Sequence, residues 1–166
     1  MKTTNPPTAC SGCGLVLPDV EGPTHAYIGA SAACWARYGE LLVREFGELR
    51  NPAIHRLSVD TYAVQHPGIP ERRAIQSVAV HLMGLCLVIE RAWPPHRATA
   101  YVGRLVEQAR PEWLEPPRPN GTLTVEHPLT DKAEHHADRV REWAEDVWRA
   151  WSAHHAQVNI WLDSYL

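Results

Sequence analysis

Residues 52–93 decide the fold, and their sequence is PAIHRLSVDTYAVQHPGIPERRAIQSVAVHLMGLCLVIERAW. The stretch opens on a proline, which suits the first turn of a helix, and it predicts a helix over residues 52–66. Pro67 and Gly68 end that helix, and a second one is predicted over residues 70–93. Because apolar residues cover most of the circumference of this second helix, we predict that it is the central helix of the protein.

The rest of the chain adds further helices around this pair. Ser31 is a suitable N-cap for a helix that ends at Gly47, and another helix is predicted over residues 96–110. The chain is therefore predicted to be all-α, a bundle of about five helices with an irregular N-terminal arm. We predict a single domain, 1–166, with four parts: a metal-binding arm (1–30), a helical core (31–110), a proline-rich loop (111–129) and a long C-terminal helix (130–164).

Composition and charge exclude several classes of partner. Over 166 residues, 16 basic and 19 acidic side chains give a net charge of −3 without a basic stripe, so we expect neither nucleic acid nor an anionic membrane as the main partner. The longest apolar run, residues 74–89, contains Gln76, Ser77 and His81, which favours a buried helix over a membrane span. The start, MKTTNPPTAC, has no apolar stretch of the signal-peptide type, so we expect a cytoplasmic protein. The sequence predicts no particular oligomeric state.

The N-terminal arm carries a pattern typical of metal binding. Cys10 and Cys13 form a C-x-x-C followed by glycine, a knuckle that directs two thiolates at one ion. Zinc takes four nitrogen or sulfur ligands, and Cys34 is the best third ligand because the first turn of the Ser31 helix favours a thiolate. Zinc would also hold in place an arm that has no core of its own, since its binding contributes on the order of 10 kcal/mol in small sites.

Three histidines compete for the fourth position of this zinc site. His25 lies between the cysteines in GPTHAY and is the best candidate by sequence, whereas His55 or His66 would have to be brought in by folding. Two other interpretations stay open: a redox-active C-x-x-C, which normally needs a βαβ setting that is not visible here, and cysteines without a role. Cys86, inside the predicted central helix, is expected to be a packed thiol.

Two histidines and a tyrosine share one face of the helix predicted over residues 52–66. His55, Tyr62 and His66 follow one another at helical spacing. His55 and His66 nevertheless lie about 16 Å apart along the axis, too far to bind one ion together. His81 is on the most apolar side of the next helix, and a hairpin that turns near Gly68 would bring it level with His55. A buried histidine there needs a hydrogen-bond partner, a metal ion or a bound ligand.

These histidines allow three interpretations. The first is a second metal site made by His55, His81 and a histidine of the C-terminal helix, with one position open for water or substrate. The candidates on that helix are His154 and His155. The second is a polar pocket without metal, in which Asp60 orients a histidine. The third is a set of core histidines that bond to carbonyls, hydroxyls or carboxylates.

Four strings of the sequence resemble a family of small, uncharacterised bacterial proteins, a domain of unknown function. They are CSGCGLVLP, GPTHAYIGAS with CW after it, HRLSVDTYAVQHPG and IQSVAVHLMGL, and they cover about residues 10–90. The long string from HRL to QHPG is specific. The resemblance implies that the cysteine arm and the histidine helices belong to a single recurring module, and it implies no reaction.

Two functions follow from these patterns. In the first, the protein binds zinc through Cys10, Cys13, Cys34 and a histidine, for which His25 is the best candidate. A pocket then takes a small-molecule ligand for metal- or histidine-assisted hydrolysis or group transfer. The catalytic candidates that would line this pocket are His55, Asp60, Tyr62, His66 and His81. In the second, the protein is a non-catalytic adaptor or regulator with a purely structural zinc.

Overall fold

The computed structural model describes residues 5–106 and 108–164. Within these ranges the protein consists of helices and one small sheet, which confirms the all-α prediction. The sheet is an antiparallel pair of strands, β1 (Asn5–Ala9) and β2 (Val16–Asp19). The helices are α1 (Ala32–Arg44), α2 (Pro52–Gln65), α3 (Arg72–Leu85), α4 (Pro95–Leu105), α5 (Glu126–Leu129), α6 (His136–Ala150) and α7 (His155–Asp163).

Local signals set the ends of the first helices. The Ser31 hydroxyl accepts a hydrogen bond from the Cys34 N–H at 3.2 Å, which confirms Ser31 as the N-cap of α1. Helix α2 begins with a proline and is capped by Asn51. Helices α1 and α3 each continue into one π-helical turn, Glu45–Leu49 and Cys86–Glu90. The two π-helical turns lengthen both helices beyond their regular parts.

Helix α3 forms the centre of the bundle. Together with its π-helical turn it contacts α2, α4, α6 and α7, and Leu82, Leu85 and Leu87 are fully buried. The part of the chain that the structure describes has one helix that could cross a membrane by length and composition, Arg72–Glu90, with a mean hydropathy of 1.4. Half of its most apolar window is buried inside the protein. Since core helices pass the same test, this is weak evidence for a membrane span.

The N-terminal arm is more ordered than predicted. Strands β1 and β2 pair with Thr8 opposite Leu17 and Ala9 opposite Val16, so the arm begins with a hairpin. The turn of this hairpin contains the C-x-x-C pattern, residues 10–13. The two prolines of β1 concealed the strand, because proline cannot donate to a ladder of hydrogen bonds and normally indicates the absence of a strand.

The C-terminal segment corrects the prediction of one continuous helix over residues 130–164. A 3₁₀ turn, Ser152–His154, separates α6 from α7, and Trp151 precedes it with a ψ of 14°, outside the α-helical range. The Trp151 indole N–H donates to Asn120 Oδ1 at 2.8 Å, and α7 packs against α3. Apolar residues repeat at helical spacing on both sides of the turn, so the periodicity did not reveal the break.

A network of buried amide and indole groups holds the proline-rich loop against the bundle. Gln65 Nε2 donates to the Asn120 carbonyl at 2.9 Å, and Asn120 Nδ2 donates to the Val64 carbonyl at 3.0 Å. Two tryptophans complete the network: Trp143 Nε1 donates to Gln65 Oε1, and Trp151 Nε1 donates to Asn120 Oδ1. Because Gln65 and Asn120 are buried, these contacts replace hydrogen bonds to water.

We predict that Asn120→Ala lowers the free energy of unfolding by about 2–4 kcal/mol. The change leaves the Val64 carbonyl and the Trp151 indole N–H buried without their present partner. Chemical denaturation measures the loss, and Asn51→Ala is the comparison, because removing one N-cap costs about 1 kcal/mol. A loss in Asn120→Ala no larger than that in Asn51→Ala would contradict the importance of the network.

Candidate functional site

Three cysteines and a histidine meet at the hairpin turn. The group consists of Cys10, Cys13, Cys34 and His66, whose ligand atoms all lie within 4.8 Å of one another. The first two cysteines come from the β1–β2 turn, Cys34 comes from the first turn of α1, and His66 directly follows α2. Across residues 5–106 and 108–164 this is the one such group of three or more ligand residues. The group could hold one metal ion.

The distances within the group suit a tetrahedral ion. Cys13 Sγ and Cys34 Sγ are 3.8 Å apart, and Cys34 Sγ lies 3.4 Å from His66 Nε2. Two sulfurs bound to one zinc ion at about 2.3 Å in a tetrahedron are about 3.8 Å apart, and a sulfur and a nitrogen lie slightly closer. A disulfide would need sulfurs at about 2.05 Å. The spacing therefore fits shared metal ligands, and all three cysteines are free thiols.

Hydrogen bonding decides which nitrogen of His66 faces the sulfurs. His66 Nδ1 lies 2.7 Å from the Tyr62 carbonyl, which only accepts, so Nδ1 carries the proton. Nε2 then has the free lone pair that a metal ion needs, and it is the nitrogen beside Cys34. The buried His66 ring stacks on Tyr62 with ring centroids 4.0 Å apart. Tyr62, a predicted catalytic residue, therefore lies at this cluster and supports its histidine.

Glycines shape the C-x-x-C turn. Gly14 has a φ of +76°, which favours glycine, and its N–H donates to the Cys10 carbonyl at 2.8 Å. Gly12 packs so closely on the end of α2 that a Cβ atom there would overlap His66 Cδ2. The Ser31 N–H donates to Cys10 Sγ at 3.4 Å, and such donors stabilise a thiolate. The backbone thus brings the turn, α1 and α2 together around the sulfurs.

The proximity of the thiols shifts their pKa values in opposite directions. Hydrogen bonds from the Cys13 and Cys34 thiols hold the pKa of Cys10 well below its usual value. The hydrogen bond between Cys13 and Cys10 raises the pKa of Cys13 to about 11. Hydrogen bonds with Cys10 and Cys13 raise the pKa of Cys34. One thiolate is therefore stabilised by its neighbours, whereas ionising all three thiols requires a cation between them.

His25, the fourth ligand predicted from the sequence, lies outside the group. Its Nδ1 accepts a hydrogen bond from the Tyr27 N–H at 3.4 Å, and its ring contacts Tyr27 and Trp35. The structure places His66, one of the rivals, beside the three cysteines. The physical reason is the close approach of Gly12 to the end of α2, which sets the His66 ring directly against the C-x-x-C turn.

Asp60 and His81 form a hydrogen-bonded pair between α2 and α3. His81 Nδ1 lies 2.7 Å from Asp60 Oδ1, and Arg56 lies 2.9 Å from the same oxygen. Since a carboxylate only accepts, His81 carries its proton on Nδ1 and keeps the lone pair on Nε2. Asp60 is 2% exposed and packs against Gly84, whereas His81 is partly exposed and lines a cavity of about 380 Å³. The pair has the geometry of an oriented base.

His55 belongs to a different cluster, centred on Glu45. His55 Nδ1 lies 3.0 Å from Glu45 Oε2, His136 Nε2 lies 2.9 Å from Glu45 Oε1, and Ser58 donates to the same carboxylate. Burial by itself would raise the pKa of Glu45, but hydrogen bonds from His136, Ser58 and His55 lower it below the usual value. The cluster therefore holds an ionised carboxylate where α1, α2 and α6 meet.

The structure does not assemble the three-histidine metal site. His55 and His81 have the separate carboxylate partners described above, and the candidates on the C-terminal segment, His154 and His155, bond to backbone carbonyls at 2.8 Å. The hairpin register explains the difference, because Asp60 rather than His55 lies level with His81. The predicted catalytic residues therefore fall into three separate clusters.

One protein-family model matches most of the chain. The model of a family of unknown function, DUF5946, matches residues 8–152. The chain belongs to this family. No curated protein and no solved structure matches the chain. The DUF5946 match includes the whole Cys3His group and the Asp60–His81 pair, and it extends the resemblance seen over residues 10–90 through α6.

Three polar residues with structural roles were not predicted from the sequence. Glu45 and Arg56 belong to the clusters of His55 and of Asp60, and Gln65 belongs to the network that holds the proline-rich loop. Arg56 precedes Asp60 by four residues, a spacing that predicts an ion pair on a helix and could have been used. Glu45 reaches His136 from 91 positions away, and Gln65 reaches a loop carbonyl from 55 positions away. No local pattern in this sequence indicates contacts over such separations.

We predict that Gly84→Ala destabilises the protein by about 1–2 kcal/mol, although alanine is the better helix former. A Cβ atom at Gly84 would lie 2.7 Å from Asp60 Oδ2 and push against a buried carboxylate. Gly39→Ala on α1 is the matched control, because nothing lies within 4 Å of a Cβ atom there, and it should stabilise by up to about 1 kcal/mol. Equal effects of the two substitutions in urea denaturation would show that Asp60 does not pack tightly on α3.

Proposed function

We propose that this protein binds one zinc ion in the Cys3His group and that the ion has a structural role. The observation that carries the proposal is the convergence of four ligand atoms within 4.8 Å of one another. Three thiolates and one imidazole form a donor set that zinc prefers. Because four protein ligands complete a tetrahedron, no position is left for water or substrate, which is typical of structural sites.

The ion would fasten the N-terminal hairpin to the helical core. A two-stranded hairpin is only marginally stable by itself, and the cysteines of its turn lie beside Cys34 of α1 and His66 at the end of α2. Zinc binding contributes on the order of 10 kcal/mol in small sites, which is sufficient to order such an arm. A set of reduced thiols also fits a reducing compartment, which supports our proposal of a cytoplasmic location.

Metal content tests the zinc proposal. We predict about one zinc ion per chain, measured by mass spectrometry of the purified protein, and its loss in His66→Ala and Cys34→Ala. The matched controls His25→Ala and Cys86→Ala remove the same residue types outside the group and should retain the ion. Zinc-free wild-type protein, or loss of zinc in His25→Ala but not in His66→Ala, would refute the proposed ligand set.

Hydrogen exchange tests whether the role is structural. Removing zinc from the wild-type protein with a chelator should increase exchange across residues 5–31, while the amides of α3 stay protected. Unchanged exchange in the arm would mean that the ion does not fasten it. Loss of protection throughout α3 would mean that the helical core is not self-sufficient.

The Asp60–His81 pair favours a second candidate function, histidine-assisted hydrolysis or group transfer on a small molecule. Asp60 accepts the Nδ1–H of His81, which leaves Nε2 as a base. In hydrolysis, Nε2 takes a proton from water as the water oxygen bonds to the substrate, and it returns that proton to the leaving group as the old bond breaks. A non-catalytic adaptor with a structural zinc is the alternative, and it requires no such pair.

A test for substrate hydrolysis distinguishes the enzyme function from the adaptor function. We predict that the zinc-loaded protein hydrolyses the probe p-nitrophenyl acetate, and that His81→Gln lowers kcat by about 100-fold or more without loss of zinc. Asp60→Asn should slow the reaction and also change the tautomer of His81, which the ¹⁵N NMR signals of its ring report. No turnover, or an equal rate in His81→Gln, would favour the adaptor.

A further inference from the structure

The cavity beside His81 is lined by polar side chains that neither the metal site nor the Asp60–His81 pair uses. It has a volume of about 380 Å³ and is bounded by α3, α4 and Tyr27 of the arm. Arg73, Ser77 and His81 line it at four-residue steps along α3, so they share one face of the helix. Gln76 lies beside them. The cavity is within the size range of small-molecule sites.

Three polar side chains of this cavity have no partner among the residues that the structure describes. Arg73 makes no ion pair there, and the side chains of Gln76 and Ser77 make no hydrogen bond. Arg73 and Gln76 are exposed and Ser77 is half-buried, so solvent can reach all three. A guanidinium, an amide and a hydroxyl are therefore available on one wall of the cavity.

The charge of the cavity favours an anion. Its described lining contains the Arg73 guanidinium and no acidic residue. The nearby Asp60 carboxylate is buried behind His81 and is already matched by Arg56. A guanidinium with adjacent hydrogen-bond donors is the chemistry that proteins use for carboxylate and phosphate groups.

We propose that this cavity binds the carboxylate or phosphate group of a small organic molecule through Arg73 and Ser77. The proposal names the substrate class of the Asp60–His81 candidate function, on which it rests, and it does not depend on the zinc site. Val80 and Val106 provide apolar surface for the rest of the molecule. At 1.5 Å per residue, Ser77 and Arg73 lie about 6 and 12 Å along the helix axis from His81. If Arg73 and Ser77 hold the oxyanion of a molecule, a bond several atoms away from that oxyanion would lie beside His81.

Three matched probes test this proposal on the zinc-loaded chain of 166 residues. Benzoate and phenyl phosphate share an aromatic ring and differ in the oxyanion, and benzyl alcohol is the neutral control. We expect at least one anion to shift the NMR signals of the His81 ring and of the α3 amides, and benzyl alcohol to bind about tenfold more weakly. The tighter anion then identifies the group, carboxylate or phosphate, for which the cavity is built.

Arginine variants locate the binding site. Arg73→Ala should weaken binding of the anion about tenfold or more, because a charge-assisted hydrogen bond is lost. Arg72→Ala is the matched control, since it is also an exposed arginine at the start of α3 but does not line the cavity, and it should change the affinity by less than about twofold.

Three results would overturn the proposal: no shifts with either anion up to about 20 mM, equal binding of benzyl alcohol, or equal loss of affinity in Arg72→Ala and Arg73→Ala. Zinc content measured on the same samples distinguishes failure of this cavity from failure of the metal site. Anion binding without turnover would support the proposal and contradict only the catalytic role of His81.

Discussion

Three thiols and one imidazole meet where the N-terminal hairpin lies against the helical core, and this contact fixes the arm to the bundle. These groups come from the hairpin turn, the start of α1 and the end of α2, so the site joins three segments that are distant in sequence. Its packing is specific, because Gly12 leaves space for the His66 ring and the Tyr62 carbonyl directs His66 Nε2 towards the sulfurs. Leu15 and Leu17 of the hairpin are only partly buried against the core, and Val16 is 61% exposed. We therefore infer that the four ligand residues contribute most to holding the hairpin in position.

Helix α2 connects this site to the other clusters, because each of its sides carries a different polar group. His66 at its end lies against the sulfurs, and Gln65 holds the proline-rich loop. Asp60 faces α3 and orients His81, while Ser58 joins the buried Glu45 cluster. The Cys3His group and the cavity beside His81 share no residue, so the proposed ion and the proposed ligand would bind independently. The same arrangement explains why the string from HRL to QHPG contains so many polar residues within one buried helix.

Sequence reasoning was sufficient where the signal is local. The C-x-x-C pattern and the Ser31 cap predicted the three cysteines of the metal group, and apolar periodicity predicted the central helix. It failed where tertiary packing decides. The choice of His66 over His25 depends on how closely the arm approaches α2. The assumption of a symmetric helical hairpin placed His55 level with His81, whereas Asp60, five residues later, lies there. The break in the C-terminal helix depends on long-range contacts such as the bond from Trp151 to the loop, which leave no trace in helical spacing.

X-ray absorption at the zinc edge, measured on the purified protein, is a direct test of the proposed zinc site. We predict a four-coordinate ion with three sulfur neighbours at about 2.3 Å and one nitrogen neighbour at about 2.0 Å. A shell with a water oxygen in place of the imidazole would contradict the closed structural site. A shell of oxygen and nitrogen without sulfur would show that the ion binds elsewhere and that the hairpin is held by other means.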